Sequence, residues 1–479
     1  MKRFLLIMAI LSVLLPAANQ ATAAPPEVRS IQPLVLSEDG ALTPGLIDSI
    51  RRSLRNEPAL RSARNAASAN PLGDLVLNRE LLSSHNNFFS NKITTGKITD
   101  QKKSARCWMF AALNILRPAM MKKYHLKSFE LSQNYLYFWD KMEKANLFLE
   151  SILATADLDV RDRKVRFLLE DPIPDGGQWN YAVALIKKYG LVPGDAMQET
   201  YNSNNSAAML KILSTKLRQG AARLRNLKQE GKGRTELLVA KENILSDVYR
   251  LLSIFLGNPP EKFEFRCEDK EEKTNPVRVY TPLEFFKKEV GAELDAYVCL
   301  YSNPLWPLNR LYQIDLNRNM ADIPNITFAN LDIKDLKAYV LAALLKNEPV
   351  WFGADVGKQV DKKSGILSEK ICQYEDLLGV DLSMNKVERV LYQDTVVSHA
   401  MVFLGVDLES GKPRKWLVEN SWGEDTGEKG FYTMYDDWFD QHVYEVVIRQ
   451  DFLPKEVLDL MKTTPTVLPE DDPMREMLR

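Results

Sequence analysis

Side chains able to bind metals or form disulfides are scarce in this chain, and their scarcity excludes several classes of protein. The 479 residues include only four cysteines and four histidines. These residues are Cys107, Cys267, Cys299, Cys372, His85, His125, His399 and His442. No Cys-x-x-Cys or His-x-x-x-His spacing occurs among them, so we expect no metal site and no cofactor. Four cysteines are also too few for a fold held together by disulfides.

An excess of either charge is also lacking. Lysine and arginine total 63 and aspartate and glutamate total 64, which leaves a net charge of −1. Such a balanced composition provides no bulk attraction to nucleic acid or to an anionic membrane surface, so we expect no nucleic-acid partner. The length is sufficient for two or more domains with a large buried core.

One apolar run has the properties of a targeting segment, and it lies at the start of the chain. Positive residues 2–3 precede the apolar residues 4–15, Pro16 interrupts the run, and small residues 21–23 resemble a cleavage site. The run is too short to cross a hydrocarbon layer of about 30 Å as a helix. We therefore expect a signal peptide over residues 1–23, export to the periplasm or the outside, and no stable membrane insertion.

The remaining chain changes character near residue 348. Before that point, apolar residues recur at helical spacing after Cys107, and the amphipathic stretches 206–228 and 235–256 predict a helical hairpin. After it, short β-type runs alternate with turns. This pattern predicts an α+β fold with an N-terminal extension (24–100), a helical domain with a large helical insertion (101–345), a β domain (346–453) and a C-terminal arm (454–479).

Cys107 is the first candidate for a reactive residue, because it opens a predicted helix. Free N–H groups and the helix dipole favour a thiolate there, although the dipole contributes only about 0.3–1 kcal/mol. A stronger shift requires an imidazolium from elsewhere in the fold. Gln101 lies six residues earlier, where its amide and the Cys107 N–H suit the oxyanion of a tetrahedral intermediate. With Cys107 free, the three other cysteines cannot all pair within the chain.

His399 and Asn420 complete the expected constellation. His399 begins a β-type run, and Asn420 follows another one in the segment Glu419-Asn420-Ser421-Trp422-Gly423. An asparagine that binds one imidazole nitrogen fixes the tautomer and leaves the other nitrogen for the thiol. Trp422 is placed to cover that hydrogen bond and keep water away.

Paired glycines at Gly176 and Gly177 are candidates for substrate binding. They lie in Asp175-Gly176-Gly177-Gln178-Trp179, between the cysteine and the histidine. Glycine allows a substrate backbone to approach closely. Taken alone, the pair is only a turn signal.

In this order the motifs resemble the papain superfamily, and more narrowly its bleomycin hydrolase / aminopeptidase C branch. The resemblance runs from about residue 75 to the end of the chain. It rests on dispersed matches: 99–101, 106–108, 131–133, 175–179, 349–358, 384–386, 418–425, 444–447, 467–469 and 472–474.

The resemblance implies a papain-like fold, with a nucleophile-bearing helical domain packed on an antiparallel, barrel-like β domain. It implies a cysteine peptidase in which Cys107 attacks the peptide carbonyl, His399 acts as base and acid, Asn420 orients His399, and Gln101 stabilises the oxyanion. The separation of 399 − 107 = 292 residues exceeds the roughly 130–150 typical of compact papain-like enzymes, and the helical insertion accounts for the excess.

The branch also implies a homohexamer and a C-terminal arm in the substrate cleft. The terminal carboxylate, here on Arg479, would pair with the amino group of a peptide substrate and make the enzyme an aminopeptidase. Two features depart from the branch. Acidic Glu470-Asp471 replaces an apolar residue and tryptophan, and the bulky, charged segment 475–479 replaces small residues.

Four functions are compatible with these residues. A broad-specificity aminopeptidase leads, and an endopeptidase with the same site is the alternative. Acyl transfer such as transglutamination is disfavoured by the Gln101–Cys107 spacing and by the segment around Asn420. An inactive binding protein on a peptidase fold is disfavoured because all four catalytic positions are filled.

Overall fold

The computed structural model describes residues 34–37, 40–54 and 58–473. Their helices are α1 (Pro44–Ser53), α2 (Pro58–Ala69), α3 (Leu72–Leu75), α4 (Arg79–Ser84), α5 (Cys107–Lys123), α6 (Gln133–Ala154), α7 (Arg163–Glu170), α8 (Trp179–Tyr189), α9 (Tyr201–Asn204), α10 (Ala207–Gln229), α11 (Arg234–Leu256), α12 (Pro282–Phe285), α13 (Ile333–Leu344), α14 (Tyr374–Leu378), α15 (Lys386–Leu391), α16 (Asp436–His442) and α17 (Lys455–Leu460).

The strands are short except near the end of the chain. They are β1 (Asn91–Lys92), β2 (Phe263–Phe265), β3 (Arg278–Tyr280), β4 (Tyr297–Tyr301), β5 (Arg310–Ile314), β6 (Thr327–Asn330), β7 (Val350–Ala354), β8 (Val360–Asp361), β9 (Ile366–Leu367), β10 (His399–Glu409), β11 (Lys412–Glu419), β12 (Phe431–Tyr435), β13 (Val443–Arg449) and β14 (Thr466–Leu468).

The chain divides into two compact units, Met1–Arg61 and Ser62–Arg479. In the first unit, Thr43 caps α1 by accepting a hydrogen bond from the Leu46 N–H at 3.2 Å. The second unit contains every residue predicted for the site. Arg479 and the predicted signal peptide lie outside the described residues. The predicted domain boundaries stay predictions.

The helical prediction is confirmed around Cys107, which is the first residue of α5. Pro118 lies inside this helix and does not end it, because a buried face continuing to Met120 outweighs one lost hydrogen bond. The predicted hairpin corresponds to α10 and α11. Gly220 permits their close packing, since a Cβ there would lie 3.0 Å from Ile244.

One sheet carries the base-bearing part of the chain. Its strand order is β14-β5-β6-β4-β13-β7-β10-β11-β12-β9-β8, with β1 added beside β10. The centre, from β13 to β12, is antiparallel as predicted, whereas β12–β9, β4–β6 and β14–β5 are parallel pairs. This path is open within the described residues, and the barrel-like closure stays a prediction. Helix α5 packs on β10, which brings Cys107 to the start of that strand.

Candidate active site

The nucleophile candidate, Cys107, is a buried thiol at the first turn of α5. Its side chain is 2% exposed. Burial raises the pKa of the thiol, and N–H groups of Ala400, Trp108 and Cys107 itself act in the opposite direction by bonding the sulfur. Because Ala400 directly follows His399, this contact places the sulfur next to the histidine at the start of β10.

The tautomer of His399 follows from its partner. His399 Nε2 lies 2.7 Å from Asn420 Oδ1, and the same oxygen accepts the Ser421 N–H at 2.7 Å. The second contact identifies the oxygen of the Asn420 amide, since a backbone N–H requires an acceptor. His399 Nε2 must therefore carry the proton, which leaves Nδ1 as the base for the thiol.

Trp422 covers this hydrogen bond. The rings of Trp422 and His399 lie 4.5 Å apart at an angle of 31°, and Lys362 Nζ lies 4.8 Å from the centre of the Trp422 ring. Burial lowers the pKa of His399 to about 4, with Asn420 opposing this effect and Lys362 adding to it. Burial thus favours the uncharged forms of both Cys107 and His399. When the proton passes from the thiol to the imidazole, the attraction between thiolate and imidazolium offsets the cost of burying each charge.

Gln101 is held in place by three hydrogen bonds. Its N–H donates to the Ser421 carbonyl at 2.9 Å, its Nε2 donates to the Ser104 carbonyl at 2.6 Å, and its Oε1 accepts from Ser421 Oγ at 2.7 Å. These contacts fix the amide with one Nε2 hydrogen remaining. Together with the N–H at the start of α5, that hydrogen suits an oxyanion.

Gly176 and Gly177 line a cleft with Gln178 and the segment 316–318. A Cβ on Gly177 would lie 2.5 Å from the Trp108 ring, so glycine is required there by the residue that follows the nucleophile. The structure therefore brings Gly177 into contact with the nucleophile-bearing helix.

Asp175 is a site residue to which the sequence analysis gave no role. Its Oδ2 accepts from the Ala105 N–H at 3.0 Å and from Ser206 Oγ at 2.7 Å, and its carbonyl accepts from Trp108 Nε1 at 3.2 Å. Asp175 thus holds the chain on both sides of Cys107. The signal for this role in the sequence was the position of Asp175 directly before Gly176, inside the glycine motif.

Ser421 and Arg106 were missed for the same reason, since each lies within a motif but was assigned no contact. Ser421 holds Gln101, as described above. Arg106 is fully buried and pairs with both carboxylate oxygens of Glu199, at 3.0 and 2.7 Å, while its Nε donates to Ser104 Oγ at 2.9 Å. The distance of Glu199 along the chain gave no signal of this pairing.

The C-terminal segment is described as far as residue 473. Strand β14 pairs with β5, and Asp472 accepts from Trp306 Nε1 at 2.9 Å. The acidic residues that depart from the resembling branch both contact Arg163 of α7, Glu470 at 3.3 Å and Asp471 at 2.8 Å. Arg479, predicted to bind substrate, lies outside the described residues.

The described residues contain neither a metal-binding cluster nor a membrane-spanning helix. No cluster of three or more histidine, cysteine, aspartate or glutamate side chains there is arranged to hold a metal ion. Likewise, no helix in the described ranges is both long enough and apolar enough to cross a membrane.

Comparisons with known proteins agree on one family. The profile of the Peptidase C1-like family matches residues 41–475. Aminopeptidase C of Lactobacillus delbrueckii subsp. lactis is 40% identical over 433 residues, covering 89% of this chain and 96% of the relative. Human bleomycin hydrolase is 37% identical over 440 residues, covering 89% of this chain and 97% of the relative.

A solved structure is also similar over nearly the whole chain. The crystal structure of pepw from Lactobacillus rhamnosis HN001 superposes with a TM-score of 0.89 at 42% identity. It covers 91% of this chain and 99% of its own.

Proposed function

The chain belongs to the Peptidase C1-like family, and from that membership we infer that it is a cysteine-type aminopeptidase that releases N-terminal residues from peptides. One observation of the site supports assigning the reaction to particular residues. His399 is bonded through Nε2 to Asn420 under Trp422, with its other nitrogen left for Cys107. The endopeptidase alternative is not favoured, because the named relatives are aminopeptidases and bleomycin hydrolases.

The reaction proceeds through a covalent acyl-enzyme. The Cys107 thiolate attacks the carbonyl carbon, and the oxyanion is held by Gln101 Nε2 and the Cys107 N–H. His399 gives its proton to the leaving amine as the C–N bond breaks. Water then attacks the thioester with His399 as base, which releases the N-terminal residue and restores the thiol.

Hydrolysis of fluorogenic substrates tests this function. Wild-type protein is expected to cleave aminoacyl substrates with a free amino group and to act poorly on their N-acetylated counterparts. Cys107→Ala is expected to be inactive on both. Equal turnover of free and acetylated substrates would contradict aminopeptidase action, and retained activity in Cys107→Ala would contradict the nucleophile.

We propose that the C-terminal segment limits the enzyme to free N-termini. Strand β14 ties the segment to β5, and Arg163 anchors both acidic residues that follow Pro469. The terminal carboxylate of Arg479 would meet the substrate ammonium, a charge-assisted contact worth about 1.5–3 kcal/mol. Deletion of residues 475–479 should lower free-amine turnover and raise cleavage of N-blocked peptides. An unchanged ratio would contradict the proposal.

We also propose that the protein is exported after cleavage near Ala24. The support is the sequence pattern of residues 1–23, which lie outside the described residues. Intact-mass measurement of protein released by osmotic shock or secretion should give a chain starting near residue 24. Full-length chain found only in the cytoplasm would refute this.

Assembly into a homohexamer is a further proposal. A continuous segment carries many exposed apolar side chains, which is a common property of subunit interfaces. They are Leu378, Val380, Leu382, Val387, Leu391, Tyr392 and Val396. Light scattering should give six times the mass of the chain, and charged substitutions at Leu391 and Tyr392 should reduce that mass. A monomer at micromolar concentration would contradict the proposal.

A further inference from the structure

A buried lysine on α6 holds the edge of the glycine pair. Lys144 Nζ donates to the Gly176 carbonyl at 2.6 Å and to the Pro174 carbonyl at 2.9 Å, and it lies 2.9 Å from Asp140 Oδ2. The side chain of Lys144 is 5% exposed, and that of Asp140 is fully buried. Lys144 thus donates to two backbone carbonyls and forms an ion pair with Asp140, and one of the two carbonyls belongs to the first glycine of the pair.

This contact determines the direction of the next N–H group. The peptide joining Gly176 to Gly177 is trans and planar, so its C=O and N–H point in opposite directions. With the Gly176 carbonyl directed at Lys144, the Gly177 N–H is directed away from α6. In the described part of the chain this N–H has no hydrogen-bond partner. Gly177 itself packs on Trp108, beside the nucleophile.

Burial of charged groups at this point is costly, and apolar residues of similar size often replace such groups without loss of stability. Their retention therefore calls for a role in positioning. We propose that Lys144, held by Asp140, is a positioning residue that aims the Gly177 N–H at an oxygen acceptor beside the scissile residue. The acceptor is a backbone carbonyl of the substrate or the terminal carboxylate of the chain. This inference rests on the proposed peptidase function.

The charge of Lys144 is sensitive to moderately alkaline pH. Burial lowers its pKa to about 8, while the Asp140 charge opposes that effect and Lys141 adds to it. Other charged or titratable groups facing it are Asp175, Tyr181 of α8, and Asp171 and Arg318 of the same cleft. A neutral amine loses the ion pair with Asp140 and the charge assistance of its bonds to Pro174 and Gly176, so its hold on the Gly176 carbonyl weakens as pH rises.

Lys141 provides a matched control on the same helix. It is fully buried, donates to the Pro174 carbonyl at 2.6 Å and pairs with Asp140 and Asp175 at 3.2 Å each, but it does not contact Gly176. Lys144→Met and Lys141→Met therefore remove the same buried charge, and only the first removes the bond to Gly176. Both variants are expected to unfold at lower temperature than wild type.

Kinetics separate the two variants. Lys144→Met should raise KM about tenfold with kcat within about threefold, the size expected for one charge-assisted hydrogen bond. Lys141→Met should leave KM within about twofold of wild type. Wild type should show a rise of KM above about pH 8 that Lys144→Met lacks. Lys141→Met should show this rise at higher pH, because loss of the Lys141 charge raises the pKa of Lys144. Equal KM values in both variants would overturn the inference, provided that wild type shows Cys107-dependent hydrolysis. Absence of that hydrolysis would instead refute the proposed function.

Two substrates identify the acceptor. If it is a substrate carbonyl, Lys144→Met raises KM for an N-terminal dipeptidyl substrate and not for an aminoacyl one. If it is the chain terminus, the aminoacyl substrate is affected, and deletion of residues 475–479 abolishes the effect. A KM unchanged for both substrates overturns the inference. If Lys144→Met fails to fold, Asp140→Asn replaces it as the test, because this variant keeps the lysine. The alkaline rise of KM should then move to lower pH, since Asp140 raises the pKa of Lys144. A rise that stays at the wild-type pH would overturn the inference.

Discussion

Two buried histidines lie close together beside strand β7, one at the start of β10 and one at the end of α16, and they differ in what they face. Ala354 of β7 pairs with His399 on one side and with Val443, which follows His442, on the other. Each imidazole is covered by a tryptophan, with ring centres 4.5 Å apart for Trp422 and 4.8 Å for Trp438. Burial and an aromatic cover therefore do not distinguish a catalytic histidine from a structural one.

The hydrogen-bond partner distinguishes them. His399 Nε2 meets the neutral amide oxygen of Asn420, whereas His442 Nε2 lies 2.6 Å from a carboxylate oxygen of Glu369. A neutral amide orients the ring and fixes its tautomer, whereas a carboxylate orients the ring and adds a formal negative charge beside it. The contact between the Cys107 sulfur and Ala400, which follows His399, then singles out His399 as the imidazole placed to exchange a proton with a thiol.

The largest expected effect comes from exchanging each histidine for alanine. His399→Ala should lower kcat by about 10³-fold or more, because it removes both the base and the acid of the reaction. His442→Ala should keep most of the activity and lower the melting temperature. Turnover of a free-amine substrate and thermal unfolding, measured on both variants, check the prediction. An inactive but folded His442→Ala would break the comparison.

The expected oxyanion donor, Gln101, belongs to the His399 side of this contrast, since Ser421 joins it to Asn420. Gln101→Ala should reduce kcat by about 10²–10³-fold with a smaller change in KM, as for other removed oxyanion donors. Ser421→Ala should have a weaker effect in the same direction, because the side-chain amide loses only one of its two anchors. Steady-state kinetics on one substrate test both. A Gln101→Ala variant changed only in KM would assign the residue to substrate binding.

Local patterns in the sequence predicted the residues that the structure brings together around Cys107 and most elements around them. The helix at Cys107, the strand at His399 and the hairpin α10–α11 all follow from periodicity. The parallel strand pairs did not follow, because β4–β6 and β14–β5 join segments whose pairing depends on long loops. The contact of Lys144 with Gly176 was equally hidden, since a lysine on an amphipathic helix is usually solvated and 32 residues separate the two.

Giving His399 a carboxylate partner, as His442 has, is expected to shift the pH dependence of Cys107 alkylation. Asn420→Asp places a carboxylate next to His399, whose pKa burial now lowers to about 4. An opposite charge at this distance raises a histidine pKa by about 1–3 units, so the acidic limb should move to higher pH. Alkylation of Cys107 by iodoacetamide across pH 4–8 measures this limb. Glu369→Gln is the matched control and should leave it in place; an unmoved limb in Asn420→Asp would contradict the role of the neutral partner.

The smallest expected effect concerns Glu445, a buried acid three residues after His442 that lacks a cationic partner within the described residues. It is fully buried beside Tyr301 of β4, and burial raises its pKa to about 8, with Tyr301 and Cys299 opposing the rise. Because the folded-state pKa exceeds the ordinary value of 4.5, the folded protein binds more protons than the unfolded chain between these values.

Stability should therefore fall as pH rises from about 5 to about 9, at up to about 1.4 kcal/mol for each unit by which the pKa is raised. Glu445→Gln keeps the shape and the neutral state, so it removes this contribution. The melting temperature of wild type should drop by several degrees more than that of Glu445→Gln over this range. Glu369→Gln, which alters an acid that already faces His442, should follow wild type. If the melting temperatures of wild type and Glu445→Gln changed equally with pH, the Glu445 carboxyl group would be ionised in the folded protein. Burial beside Tyr301 would then not control its charge.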